Sequence, residues 1–211
     1  MDSEARILDC VKAAVTDLRL PLPPDEAISD IIGLGLREAI DRLFPGADEE
    51  LYQGIVDGYR RHFLEGSRVP SRLFAGSREV IETLAARQYL LAVATGKGRM
   101  GLDAVLESTE TAALFHATRC ADEAFSKPHP AMLEQLLEEL GVSPGEALMI
   151  GDTEYDMQMA ANAGVAALAV SYGVHPPERL LRHAPLGCLN DIRELPGWLD
   201  QALNVSQNEA V

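Results

Sequence analysis

The sequence predicts an α/β fold in which an all-helical N-terminal region precedes a parallel sheet. Two observations carry this expectation. From Asp2 to about Ser71 the apolar residues follow helical periodicity with no convincing strand. From about Leu73 short apolar runs alternate with helical stretches, the rhythm of a parallel sheet joined by crossover helices.

The elements follow in order. A first helix over Ala5–Leu18 ends before the break Pro21-Leu22-Pro23-Pro24, and Gly33-Leu34-Gly35 and Phe44-Pro45-Gly46 mark turns between further short helices. The second part reads as helix at Gly76–Arg87, strand at Tyr89–Ala94, helix at Gly98–Glu107 and a short strand near His116–Thr118. Then come helix at Pro130–Leu140, strand at Ala147–Ile150, helix at Tyr155–Ala163 and strand at Val165–Val170. Leu186–Leu189 is a candidate last strand and Pro196–Leu203 a closing helix, with a polar tail over Asn204–Val211 that should fray.

Candidate functional residues stand where these strands end. Gly151-Asp152-Thr153-Glu154-Tyr155-Asp156 follows an apolar strand and opens a helix, so two carboxylates one helical turn apart can point at one spot. Ligands bind at that end of open α/β sheets, and carboxylate oxygens suit a hard cation such as Mg²⁺. The plainer reading makes Asp152 an ordinary N-cap. Leu90-Leu91-Ala92-Val93-Ala94 ends in Thr95-Gly96-Lys97, where a hydroxyl, backbone N–H groups and a helix dipole make a phosphate cradle. Phe125-Ser126-Lys127-Pro128-His129-Pro130 holds a lysine on a loop that two prolines keep out of helix, suited to neutralising phosphate.

In this order the three segments resemble the haloacid dehalogenase-like hydrolases, in the branch similar to phosphoglycolate phosphatases. Val93-Ala94-Thr95-Gly96-Lys97 matches the family's second motif, Lys127-Pro128 the third, and Gly151-Asp152 with Asp156 the fourth. The resemblance implies a Rossmann-like parallel sheet with helices on both faces over residues 73–211 and a helical cap over residues 1–72. It implies that Thr95, Gly96, Lys97 and Lys127 bind the phosphoryl group, with Thr95 and Lys127 catalytic, and that Asp152 and Asp156 fix Mg²⁺. The reaction implied is hydrolysis of a small phosphomonoester through a phospho-aspartyl intermediate. Caps of this kind close over substrate, with a hinge near Pro70–Leu73, and a small phosphorylated metabolite is the implied partner.

The sequence departs from the family at its first motif, a strand ending in Asp-x-Asp-Gly-Thr followed shortly by Asp-Ser. The chain opens Met1-Asp2-Ser3-Glu4-Ala5, and Asp-x-Asp-Gly occurs nowhere in it. Asp2 reads as an N-cap before the first helix. The nucleophile and the acid/base aspartate are therefore absent from the chain, together with the central first strand, expected between the strands ending at Ala94 and Ile150. The expectation is an N-terminally shortened sequence that begins at an internal methionine, where roughly a dozen further residues would supply one strand and its loop.

Composition narrows the partners. With 18 basic and 33 acidic residues the formal net charge is −15, which disfavours nucleic acid and anionic membrane surfaces. Cys10, Cys120 and Cys188 lack metal-type spacing, and neither a secretory leader nor a membrane-length apolar run stands out, so a cytoplasmic protein is expected. The sequence leaves oligomeric state open. Arg37 and Arg60-Arg61-His62 are conceivable substrate contacts but read better as solvated helix faces, and His129 as an exposed loop residue.

Two other functions are compatible with parts of the chain. Gly96-Lys97-Gly98-Arg99-Met100-Gly101 matches G-x-G-x-x-G, with Asp122 near the place of a ribose-binding acid, which would suit a nicotinamide-dependent oxidoreductase. That reading leaves Lys127, Asp152 and Asp156 without a role. A catalytically inactive relative that binds phosphate and Mg²⁺ would keep those residues and lack the attacking group.

Overall fold

The computed structural model describes the backbone of residues 1–209 and the side chains of residues 1–202. Its first part is helical: α1 (Glu4–Asp17), α2 (Asp25–Asp30), α3 (Leu36–Leu43) and α4 (Glu49–Arg61), the last running into a π-helical turn at His62–Gly66. Small residues bring α1 against α4, since a Cβ on Gly58 would stand 3.0 Å from Ala14 Cβ. Val11, Val15 and Ile28 form one buried cluster of this region, and Ile40, Ile55 and Val56 another. Two hydrogen bonds clasp its ends: Asp2 N donates to Arg72 O (2.8 Å) and Arg72 N to Asp2 O (3.0 Å). Asp2 is thus a bridging residue, and Ser3 takes the N-cap position expected for it.

The second part alternates as expected: α5 (Ser77–Ala86), β1 (Ala92–Thr95), α6 (Arg99–Ser108), β2 (Ala117–Cys120), α7 (Ala131–Leu140), β3 (Leu148–Gly151), α8 (Glu154–Asn162), β4 (Ala166–Val170), α9 (Pro177–Leu180), β5 (Cys188–Leu189) and α10 (Leu195–Glu209). Strand alternation sends Met149 to a cluster with Met132, Leu136 and Met159 on α7 and α8. Leu148 and Ile150 face the opposite way, into Val80, Leu84 and Leu195 on the α5 and α10 side. Helices therefore cover both faces.

All strand pairs are parallel, but they fall into two sheets: β1 with β2, and β3-β4-β5 in that order. No hydrogen-bonded ladder joins β1 to β3 among the described residues, the place where the sequence reading puts the absent central strand.

Strand limits differ from expectation for reasons of register. Pairing of Ala92 with Ala117 through Thr95 with Cys120 starts β1 after Leu91 and carries β2 two residues past Thr118. At the far edge Leu186 N still donates to Ala167 O (2.8 Å), yet only Cys188–Leu189 are extended strand. The tail expected to fray continues α10 to Glu209, while Ala210 and Val211 lie outside the described residues. No helix among the described residues is long and apolar enough to cross a membrane.

Candidate active site

Three turns meet at the carboxyl ends of β1 and β3. After β3, Thr153 caps α8, its Oγ1 accepting from Asp156 N (3.3 Å) while Asp156 Oδ2 accepts from Thr153 N (3.0 Å) and Oγ1 (2.8 Å). Because Thr153 does the capping, Asp152 is not the N-cap. Its Oδ2 accepts instead from Val174 N (3.1 Å) and its carbonyl from His175 N (3.1 Å). Gly173 makes this possible, since a Cβ there would collide with the Asp152 carboxyl group. Burial and the neighbouring Asp156 carboxylate push the Asp152 pKa up, with the Val174 N–H opposing.

Lys127 is almost wholly buried, at 5 % exposure, and its Nζ lies 2.5 Å from Asp156 Oδ1. Its loop is braced by Ser126, whose Oγ accepts from Gly35 N (2.6 Å) in the helical region. The same segment of that region presses on the β1 turn: a Cβ at Gly96 would stand 2.6 Å from the carbonyl oxygens of both Gly33 and Leu34. Thr95 Oγ1 accepts from Lys97 N (3.2 Å), which leaves its hydroxyl proton available to another acceptor. Burial, reinforced by the cation of Arg6, lowers the Lys97 pKa to about 8. Asp152 and Lys127 also act electrostatically on Lys97, so these charges share one locality.

Residues 1–170 match the family described as haloacid dehalogenase-like hydrolase. The chain belongs to the haloacid dehalogenase-like hydrolases. It is 30% identical to "Probable phosphatase IndB" of Dickeya dadantii (strain 3937), covering 99% of this chain and 92% of that one. It is also 30% identical to a phosphoglycolate phosphatase of Mannheimia succiniciproducens, over 77% of each chain. Among solved structures, a haloacid dehalogenase-like family hydrolase from Streptococcus pneumoniae superposes with a TM-score of 0.80 at 22% identity, over 94% of this chain and 92% of that one. A hydrolase from Pseudomonas syringae superposes with a TM-score of 0.81 at 20% identity, over 95% of this chain and 93% of that one. Those two likenesses show the fold.

Within this hydrolase fold the donor set available to a cation is small. No cluster of three or more His, Cys, Asp or Glu side chains suited to a metal occurs among the described residues. Lys127 and Thr153 engage both oxygens of Asp156, whereas among the described residues only Oδ2 of the Asp152 carboxyl accepts a hydrogen bond. A hard cation could therefore rest on Asp152, with water and substrate completing its shell, and would offset the burial and the Asp156 repulsion that raise this carboxyl's pKa.

The dinucleotide reading loses its acid and its phosphate position together. Both Asp122 oxygens accept from Arg99 N (3.0 and 3.1 Å), so Asp122 occupies the α6 N-terminus where a pyrophosphate would sit. Arg37 and Arg61 pair on the surface with Glu49 and Asp17, as solvated faces should. Glu154 pairs with Arg179, which also holds Asp30 and so ties α8 to the helical region.

Sequence reasoning missed Gly173, Ser126 and Arg6. Gly173 and Ser126 support the site through a backbone approach and a single hydroxyl, which no spacing rule marks. Arg6 could have been singled out only by having a backbone carbonyl as its partner and, among the described residues, no carboxylate within 4 Å, which requires the fold.

Proposed function

We propose that the protein is a phosphatase acting on a small, phosphoglycolate-like phosphomonoester, with residues 1–72 as a cap over the site and residues 73–211 as the core. One observation carries the proposal: Lys127 and Asp156, twenty-nine residues apart in sequence, form a buried pair beside Asp152 and the Thr95–Lys97 turn. That is a preorganised charged site at the carboxyl ends of parallel strands.

The Thr95 hydroxyl and the N–H groups of the Gly96–Lys97 turn would orient the phosphoryl oxygens, and Lys127, fixed by Asp156, would offset their charge. Asp152 would hold Mg²⁺, with Asp156 acting through the lysine and the turn. Bound there, Mg²⁺ supplies positive charge against the transferring phosphoryl group. An aspartate carboxylate attacks phosphorus, the alcohol leaves with a proton from a general acid, and water then hydrolyses the phospho-aspartate to inorganic phosphate. That aspartate would stand on a strand between β1 and β3, which no ladder joins among the described residues.

The missing Asp-x-Asp-Gly and the unjoined β1 and β3 favour one other reading, a protein that binds phosphate and Mg²⁺ without turnover. Phosphate release from 2-phosphoglycolate with and without Mg²⁺, measured beside the intact mass of the protein from its own cell, separates the two. Mg²⁺-dependent release by a protein heavier than 22.8 kDa supports the phosphatase. Ligand binding without release, at that mass, supports the binding protein.

A further inference from the structure

Among the described residues, every lysine and arginine that is not solvent-exposed has a carboxylate within 4 Å, except Arg6 and Lys97. In a chain with net charge −15, carboxylates are not scarce. These two cations nevertheless meet at one aromatic ring. The Arg6 guanidinium lies 4.7 Å from the Phe63 ring centroid and Lys97 Nζ 5.3 Å from it. Arg6 Nη2 donates to the Phe63 carbonyl, and its Nε is buried with no oxygen or nitrogen acceptor, the Cys10 thiol being a further neighbour of the guanidinium. Lys97 Nζ has a neutral partner, Ser3 Oγ at 3.3 Å.

Like charges gathered at one ring repel, and the half-burial of both adds to the cost unless an anion joins them. The cost is visible in Lys97, whose pKa falls to about 8 through burial and through Arg6. Their place gives the anion its identity. Lys97 is two residues from Thr95, to which the phosphoryl oxygens are assigned above, whereas Arg6 and Phe63 belong to the helical region. An anion between Arg6 and Lys97 would therefore belong to the alcohol portion of a bound phosphomonoester.

We propose that Arg6 and Lys97 form a second anion subsite that receives a carboxylate on the substrate's alcohol portion, selecting phosphorylated carboxylic acids over neutral phosphomonoesters. The inference rests on the phosphoryl-site reading above, and it names Arg6 as a specificity residue. The Phe63 ring keeps both cations partly dehydrated, which strengthens a charge-assisted hydrogen bond to a carboxylate.

The test is a binding measurement, independent of turnover. Titration calorimetry in Mg²⁺ would compare 2-phosphoglycolate with ethyl phosphate, which keeps the phosphoryl group and lacks the carboxylate. The full chain is expected to bind 2-phosphoglycolate about tenfold or more tighter, one charge-assisted contact being worth that much. Arg6→Gln and Lys97→Gln should each reduce the preference to within about threefold, and Arg6→Lys should restore part of it. Melting curves confirm that the variants are folded, and loss of fold in one leaves the other to decide. Equal wild-type affinities, or a preference that survives in a folded Gln variant, overturn the subsite. If the wild type binds neither ligand, the phosphoryl-site reading fails and the subsite falls with it.

Discussion

Lys127 Nζ stands 2.5 Å from Asp156 Oδ1, with both side chains almost completely buried. The carboxylate's other oxygen closes the capping box of α8, so one aspartate fixes both the lysine and the start of the helix. Breaking such a pair from one side strands a charge in a poorly solvated place. Asp156→Asn or Lys127→Met should each cost about 3–5 kcal/mol of unfolding free energy. The double variant should cost clearly less than the sum, because no charge is then stranded. Urea denaturation checks this, and additive losses would mean that the two side chains act independently.

How much of this was legible in the sequence depends on the kind of contact. Strand alternation at Leu148, Met149 and Ile150 and the helical periodicity of the first seventy residues were readable because burial imposes a period. The placement of Lys127 near Asp156 was reachable only through family resemblance, since no local pattern ties residues twenty-nine apart. The role of Asp152 turned on which residue caps α8, Thr153 or Asp152, and both are good N-caps. Arg6 stayed hidden because the absence of a carboxylate beside it, among the described residues, is a property of three-dimensional packing.

At Gly96 the helical region comes close against the β1 turn, with two backbone carbonyls 2.6 Å from the position of a Cβ. Backbone cannot step aside as a side-chain tip can. Gly96→Ala should push the Gly33–Leu34 segment away and weaken 2-phosphoglycolate binding about tenfold or more. It should also lower stability by about 1–3 kcal/mol, as overpacking does. Wild-type affinity in the variant would show that the contact is not needed for the bound state.

Arg179 joins Glu154 on α8 to Asp30 in the helical region, and its guanidinium holds the Glu154 pKa down to about 2. For a depressed carboxyl the unfolded chain takes up the proton first. The stabilisation is thus full above about pH 4.5 and is lost as pH falls toward 2. Arg179→Met should remove about 1–2 kcal/mol at neutral pH and flatten the acid limb of the stability curve over that window. Parallel acid limbs for the wild type and the variant would exclude this link as a source of the pH dependence.

Asp152 is the carboxylate on which the metal proposal stands, because Lys127 and Thr153 leave Asp156 little capacity for a cation. Asp152→Asn keeps the shape and the Val174 N–H contact but removes the charge. Mg²⁺ affinity by calorimetry should fall about tenfold or more in this variant. Its melting temperature should hold or rise, since burial and Asp156 already disfavour the wild-type charge. Asp156→Asn offers the contrast, losing stability first and Mg²⁺ affinity only as Lys127 and the turn relax. Unchanged Mg²⁺ affinity in Asp152→Asn would remove the cation from this site and with it the charge balance proposed for phosphoryl transfer.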